Sequence, residues 1–213
     1  MASRPALFLL IGFAGTGKLT VARQLRDRLT ERGEQVRLVD NHYINNPIFQ
    51  LIEVDGVTPL PAATWDRVGE VRDAVLRTIE ELSPRKWSFI FTNDLIDRPE
   101  EKAYVHRLAQ LADRRKSIFV PVRLLCEVDE LCRRIVSPER KALMKGVDPE
   151  WIRRRVGTEE VLDPGLEATI TLDITSMPAR EAADRILAHV ATLGGPPHAH
   201  SKPAPMRGRR GRR

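Results

Sequence analysis

An α/β fold with a five-stranded parallel sheet is predicted by three features of the sequence. The first apolar run, Ala6–Ile11, contains no polar residue, which suits a central parallel strand covered on both faces. Further short apolar runs alternate with segments of helical periodicity, the pattern of strands joined by crossover helices. Between the first strand and the first helix stands a glycine-rich turn that ends in a lysine, residues 12–18.

The elements follow in order. Residues 19–32 read as a helix, with Val21, Ala22, Leu25 and Leu29 on one face, and Gly33 suits its C-terminal cap. Residues 36–39 form a short strand ending at Asp40, Asn41 and His42. Asn45, Asn46 and Pro47 start a turn or helix that runs to about Glu53, and a loop follows at Asp55-Gly56 and Pro59-Leu60-Pro61. Residues 62–82 form a long amphipathic helix with Trp65, Val68, Val71, Val75, Leu76, Ile79 and Leu82 as its stripe. Residues 87–91 are the next strand, leading to Thr92, Asn93 and Asp94. Residues 99–115 are helical, with Pro99 in the first turn. Residues 118–126 form a strand carrying Pro121, and 128–136 a helix. Residues 137–164 are dense in charge and poor in apolar periodicity, which predicts a mobile basic lid. Residues 169–174 and 178–193 supply the last strand and a closing helix. There is no internal repeat.

Composition narrows the class. The chain has 213 residues, with 42% hydrophobic and 30% charged residues, as expected for one globular domain. No apolar run is long enough to span a bilayer, and the N-terminus lacks the apolar stretch of a signal peptide, so a cytoplasmic protein without a membrane partner is expected. Cys126 and Cys132 lie six apart, which is neither a metal-ligand nor a redox spacing, and are expected as free thiols. The net charge of +6 resides in the tail: residues 194–213 carry six basic side chains and no acid, leaving 29 basic and 29 acidic residues in 1–193. The division expected is therefore a folded domain, 1–193, with its lid at about 137–164, and a disordered basic tail, 194–213. Any nucleic-acid contact would come through that tail alone.

The turn has the pattern Gly12-x-x-x-x-Gly17-Lys18, the P-loop motif. Its glycines allow a nest of backbone N–H groups to face phosphate oxygens, and the next helix aims its positive end at the same point. Gly12, Ala14, Gly15, Thr16, Gly17, Lys18, Leu19 and Thr20 are thus candidate nucleotide-binding residues, with Lys18 also a catalytic candidate. Leu19 stands where a standard P-loop has Ser or Thr, and the hydroxyl comes one position later at Thr20. Asp40 ends the second strand, where a carboxylate can orient an attacking hydroxyl; capping the next turn is the competing role. His42 and Asn93 are candidate substrate contacts. Asp94 follows an apolar strand and is the candidate magnesium ligand, with a capping role equally open. Arg133 and Arg134 are candidate nucleotide contacts and Arg140 a catalytic one, one of these guanidiniums serving a base or phosphate; arginine runs are otherwise solvated. The run Arg153-Arg154-Arg155 repeats that pattern more faintly.

These residues give the chain a resemblance to the small P-loop kinases of the nucleoside-monophosphate-kinase-like group, which includes adenylate, shikimate, gluconate and adenylylsulfate kinases and chloramphenicol phosphotransferase. The resemblance covers nearly all of 1–193. It rests on residues 12–20, on Val39-Asp40, on Gly56-Val57-Thr58-Pro59-Leu60 with Trp65-Asp66, and on the order of the later elements. It implies a three-layer P-loop NTPase fold with strand order 2-3-1-4-5, ATP and Mg²⁺ as cofactors, lid closure, and a place near the adenine for residues 174–177. Adenylate kinases have Gly-Lys-Gly-Thr at the P-loop, so Thr20 here takes the role of the displaced hydroxyl. The arginines that hold a nucleotide monophosphate in adenylate kinase are not evident near Asp40, nor are the paired arginines of shikimate kinase. That favours a neutral acceptor.

The function expected is an ATP-dependent kinase that transfers the γ-phosphate to an alcohol group of a small molecule. A polynucleotide 5′-hydroxyl kinase or toxin-like kinase shares the same motifs. A nucleotide-binding regulatory protein with little turnover is the alternative from another class.

Overall fold

The computed structural model describes residues 4–138, 140 and 144–193. Five strands, β1 (Ala6–Ile11), β2 (Val36–Asp40), β3 (Ser88–Asn93), β4 (Ile118–Leu125) and β5 (Ile170–Asp173), form one sheet. Its order is β2-β3-β1-β4-β5 and all pairs are parallel. The helices are α1 (Lys18–Glu31), α2 (Asn41–Phe49), α3 (Ala62–Glu81), α4 (Pro99–Arg114), α5 (Val128–Ile135), α6 (Pro149–Thr158) and α7 (Ala179–Leu193). The predicted fold class and strand order are those observed. The expected tail, residues 194–213, lies outside the described residues, as do residues 139 and 141–143 of the expected lid.

The side-chain alternation of a strand divides the core into two layers. Leu7, Leu9 and Ile11 of β1 join Phe89 and Phe91 on the face covered by α3 and α4. Phe8 and Leu10 join Ile90, Val120 and Val122 on the face covered by α1 and α7. A strand buried on both sides has no position for a polar residue, and this is why Ala6–Ile11 reads as an unbroken apolar run. Pro121 is tolerated in β4 because the β5 pairing begins only at Val122, so no ladder bond on that side needs its nitrogen.

Two expectations are corrected. The helix after β2 begins at Asn41 rather than at Asn45, because Asp40 Oδ1 accepts from His42 N (3.0 Å) and caps it. Pro47 therefore sits inside α2, where it lacks the N–H that would reach back one turn; the helix ends two residues later. The segment 137–164, read as a lid throughout, contains α6, whose Ile152 is fully buried, and the core residues Val161 and Leu162. Val161 also bridges to Ile96. One buried position in a ten-residue helix leaves too little periodicity to read.

Arg115, just past α4, is among the largest fully buried side chains, with 1% of its surface exposed. Its guanidinium donates to the carbonyls of Ile79, Ser83 (3.3 Å) and Pro84 (2.8 Å), and lies 4.9 Å over the Phe89 ring. It thus caps the C-terminal end of α3, whose last carbonyls have no partner within the helix. Arg115→Met is expected to destabilise the protein by about 2–4 kcal/mol, because it strands buried carbonyls. Urea unfolding measures this; a change below about 0.5 kcal/mol would show that water replaces the guanidinium.

Candidate active site

The P-loop lies at the carboxyl ends of the strands, where open α/β sheets bind ligands. Gly12 packs so closely on β4 that a Cβ there would stand 2.7 Å from the Leu124 carbonyl oxygen. Gly15 and Gly17 adopt φ of 86° and 96°, the left-handed region. Thr16 closes the turn, its Oγ1 donating to Phe13 O (2.6 Å). Among the described residues, the amides of Gly15, Gly17 and Lys18 find no acceptor, which leaves a nest of donors at the N-terminus of α1. The amide of Ala14 is engaged, donating to Asp94 Oδ2 (3.0 Å).

A cleft of about 1170 Å³ opens beside this loop. Lys18 reaches into it, with Nζ donating to Gly12 O (2.6 Å) and Phe13 O (2.8 Å). Burial pushes its pKa down to about 8; Asp94 and Asp40 oppose that shift, while Arg140 and Lys145 add to it. The ammonium is therefore within electrostatic reach of both candidate carboxylates and of two cations. Leu19 and Thr20 line the same cleft.

Asp40 is both a cap and a cleft residue. Oδ2 accepts from Thr92 Oγ1 (2.7 Å), and Oδ1 lies 3.8 Å from Lys145 Nζ. Lys145 is carried there by a loop contact: Gly56 O accepts from Val147 N (3.3 Å), and a Cβ on Gly56 would stand 2.8 Å from Lys145 O. Gly56, with φ of 79°, is thus required by close approach as well as by its turn. Arg140 donates twice to Gly146 O (3.2 and 2.9 Å), which fixes the same segment from within.

Asp94 makes the densest set of contacts. Beyond the Ala14 amide, it pairs with both terminal nitrogens of Arg155 (2.8 and 3.1 Å), a fork-to-fork geometry. Arg155 comes from α6, bonds Glu159 as well (2.5 Å), and lies 5.2 Å from the Phe13 ring and 4.9 Å from that of Trp151. A capping role for Asp94 is not what is observed. Arg134 ties Glu130 (2.6 Å) to the carbonyls of Thr16 (3.1 Å), Ile174 (3.1 Å) and Thr175 (2.8 Å), spanning the P-loop and the loop after β5. Arg133 instead lies at the cleft mouth, mostly exposed and paired with Glu130. Asn93 ends β3 and lines the cleft, and its carbonyl accepts from Gly12 N (3.3 Å).

Residues to which the sequence assigned no part in the site also line the cleft. Phe49 and Trp65 meet edge to face (5.8 Å between centroids), and Val68, Arg72, Arg98 and Glu101 continue that wall. Arginines are thus present on the acceptor side, from α3 and the start of α4, although none was evident near Asp40 in sequence. The absence of nearby arginines was a local reading, and the helices bring them in from a distance. Among the described residues no group of three His, Cys, Asp or Glu side chains is placed to hold a metal, and no helix is long and apolar enough to cross a membrane. Cys126 and Cys132 are half-buried and free, as expected.

The sheet order, the P-loop and the strand-end acids together define a P-loop kinase fold. No family model matches the chain. It is 25% identical over 199 residues to the adenylyl-sulfate kinase of Paraburkholderia xenovorans, covering 91% of this chain and 97% of that one. The APS kinase of Mycobacterium tuberculosis, solved with AMPPNP and APS, superposes with a TM-score of 0.59 at 14% identity, over 88% of this chain and 98% of that one. A gluconokinase of Sinorhizobium meliloti gives 0.58 at 16% identity, over 89% and 94%. In fold the chain is similar to the small P-loop kinases, the APS kinases and gluconokinases among them.

His42 donates from Nδ1 to Asn46 Oδ1 (3.2 Å) and stands edge-on to Phe49. Burial, aided by Lys145, pushes its pKa down to about 4. The ring is therefore neutral in the folded protein at pH 7, and too weak a base to hold a proton taken from substrate. As pH falls below the unfolded value of about 6.5, the unfolded chain binds a proton that the folded one does not, so stability is lost between pH 6.5 and 4. His42→Gln is expected to flatten that part of the urea-midpoint profile. An NMR titration of the ring placing its pKa above 6 would contradict this.

Proposed function

We propose that the protein is an ATP-dependent phosphotransferase that moves the γ-phosphate to a hydroxyl of a small molecule. The observation that carries this reading is the convergence of Lys18, Asp40, Asp94, Arg140 and Lys145 on one cleft beside a P-loop. The amides of Gly15, Gly17 and Lys18 bind the phosphates, and Lys18 exchanges its two carbonyl acceptors for β- and γ-phosphate oxygens. Thr20 contacts the α-phosphate from the first turn of α1. Arg134, held between the P-loop and the loop after β5, shapes the side that takes the base. Arg140 and Lys145 bring positive charge over the transferring group.

Asp40 orients the acceptor hydroxyl and takes its proton as the bond forms. His42, being neutral and buried, positions rather than titrates. The oxygen donors of Asp94 and Asp40 suit Mg²⁺, which is usually bound by one or two carboxylates together with phosphates and water. When bound, that ion offsets charge on the β- and γ-phosphates. A small acceptor is favoured over a polynucleotide by the contact between residues 56 and 145–147, which roofs the cleft.

Asp40→Asn keeps a side-chain oxygen able to cap α2 but removes the charge. It is expected to leave AMPPNP affinity unchanged and lower transfer by roughly 10²–10⁴-fold; unaltered turnover in a metabolite panel would reduce Asp40 to a cap. Lys18→Ala is expected to abolish tight nucleotide binding.

Phosphate binding favours the ammonium form of Lys18. Affinity for AMPPNP should therefore be level up to about pH 8 and fall by about tenfold per unit above it, with proton uptake on binding. Calorimetry of the wild-type protein across pH 7–9.5, in two buffers of different ionisation enthalpy, should show both the fall and the proton uptake; a level affinity with no proton uptake would contradict the depressed Lys18 value.

A further inference from the structure

Of the arginine run on α6, Arg155 lines the cleft, while Arg153 turns to Asp129 (3.0 Å) and Arg154 to Asp148 (3.8 Å). The Arg155 guanidinium meets two carboxylates. Its Nε donates to Glu159 and its two terminal nitrogens donate to Asp94, so all three nitrogens are engaged. One positive charge stands between two negative ones and has little attraction left for a phosphate. The rings of Phe13 and Trp151 flank it. The supporting elements are fixed as well. Ile152 anchors α6 in the core. Asp97 N donates to Glu160 O (3.1 Å) and Leu162 N to Leu95 O (3.0 Å), which joins the segment after β3 to the segment after α6. Arg98 closes on Glu159 (2.9 Å). A line of alternating charge results, running Arg98, Glu159, Arg155, Asp94.

That line ends on the phosphate-binding loop. Asp94 accepts from Ala14 N (3.0 Å), and Arg155 lies 5.2 Å from the Phe13 ring. Phe13 and Ala14 directly precede Gly15, whose amide opens the nest of donors. Phe13 O is also one of the two carbonyls on which the Lys18 ammonium rests. Asp94 attracts that ammonium more strongly than Asp40 does. An Asp94 carboxylate without its guanidinium partner would be buried and unmatched, and Lys18 would be drawn to it and away from a ligand.

We infer that Arg155 is a positioning residue for the phosphate cradle: acting through Asp94 and Phe13, it sets the direction of the loop's amides and leaves Lys18 free for phosphate. It is not itself a phosphate ligand, the role its place in an arginine run suggested. The fork of paired N–H donors fixes the carboxylate in direction as well as in charge, which a lysine at this position would not do. Nucleotide affinity is thereby tied to α6, about 140 residues away in sequence from the loop it sets. This inference rests on nucleotide binding at the P-loop, the first part of the phosphotransfer reading.

The experiment titrates AMPPNP by calorimetry into the full-length wild-type protein, Arg155→Gln, and the double variant Asp94→Asn/Arg155→Gln. EDTA is present, so that no metal held by Asp94 enters the comparison, and the temperature is one at which circular dichroism shows all three folded. Arg155→Gln should weaken binding about tenfold or more, because Asp94 is left charged and unmatched. In the double variant that charge is gone and an amide oxygen remains for Ala14 N, so affinity should return to within about threefold of wild type. A phosphate ligand behaves otherwise: its removal weakens binding whatever residue stands at position 94. Equal affinity of Arg155→Gln and wild type, or a double variant that binds no better than Arg155→Gln, overturns the inference. If Arg155→Gln does not fold, the wild-type protein carries the test. Its Arg155 Nε–H resonance, identified by its absence from Arg155→Lys, should hold its shift when AMPPNP binds, since Glu159 still accepts from it. A large shift on binding would mean that the guanidinium moves to the phosphates, and would overturn the inference. If AMPPNP does not bind the wild-type protein with or without Mg²⁺, the phosphotransfer reading fails first, and this inference with it.

Discussion

Asp94 stands at the end of β3, and three parts of the site meet on its carboxylate. The Ala14 amide brings in the P-loop, and the two terminal nitrogens of Arg155 bring in α6. Both side chains are about four-fifths buried, so the pair is screened little and its geometry is held on three sides. Loss of either charge would leave the other buried and unmatched, a change of roughly 3–5 kcal/mol in comparable sites. The position of the P-loop relative to α6 thus depends on one acid.

A similar economy governs the other side of the cleft. Asp40 caps α2 with one oxygen and takes Thr92 Oγ1 with the other, and so its direction is set before any substrate arrives. Preorganisation of this kind removes the need to reorient a carboxylate during reaction. Lys145 faces it because Gly56 lets the loop before α3 touch residues 145–147. Burial lowers the pKa values of Lys18, Arg140 and Lys145, and repulsion from neighbouring cations adds to the shift of Lys18 and Lys145.

The wall of the cleft supplied by α3 and the start of α4 differs in character: Arg72, Arg98 and Glu101 stand among the apolar surface of Phe49, Trp65 and Val68. A few fixed polar groups on an apolar wall are what orient a small ligand. The APS kinases and gluconokinases compared above have a similar fold, while this wall comes from side chains that a fold does not specify.

What the sequence by itself determined was the sheet and the phosphate cradle. An apolar run buried on both faces, followed by glycines at fixed spacing and a lysine, admits few other arrangements, because close backbone approach and positive φ exclude other residues. Asp40 and Asp94 were legible because strand ends are where ligands bind. Whether Asp40 capped a helix or faced the cleft was not, and the tertiary structure has it do both. Helix α6 escaped detection because a single buried residue, Ile152, carries no period. Arg72, Glu101 and Lys145 gave no signal, since each is an ordinary residue within a helix or a charged segment. Only the packing of α3 against α4, and of residues 145–147 against Gly56, brings them to the cleft, by contacts between residues far apart in the chain.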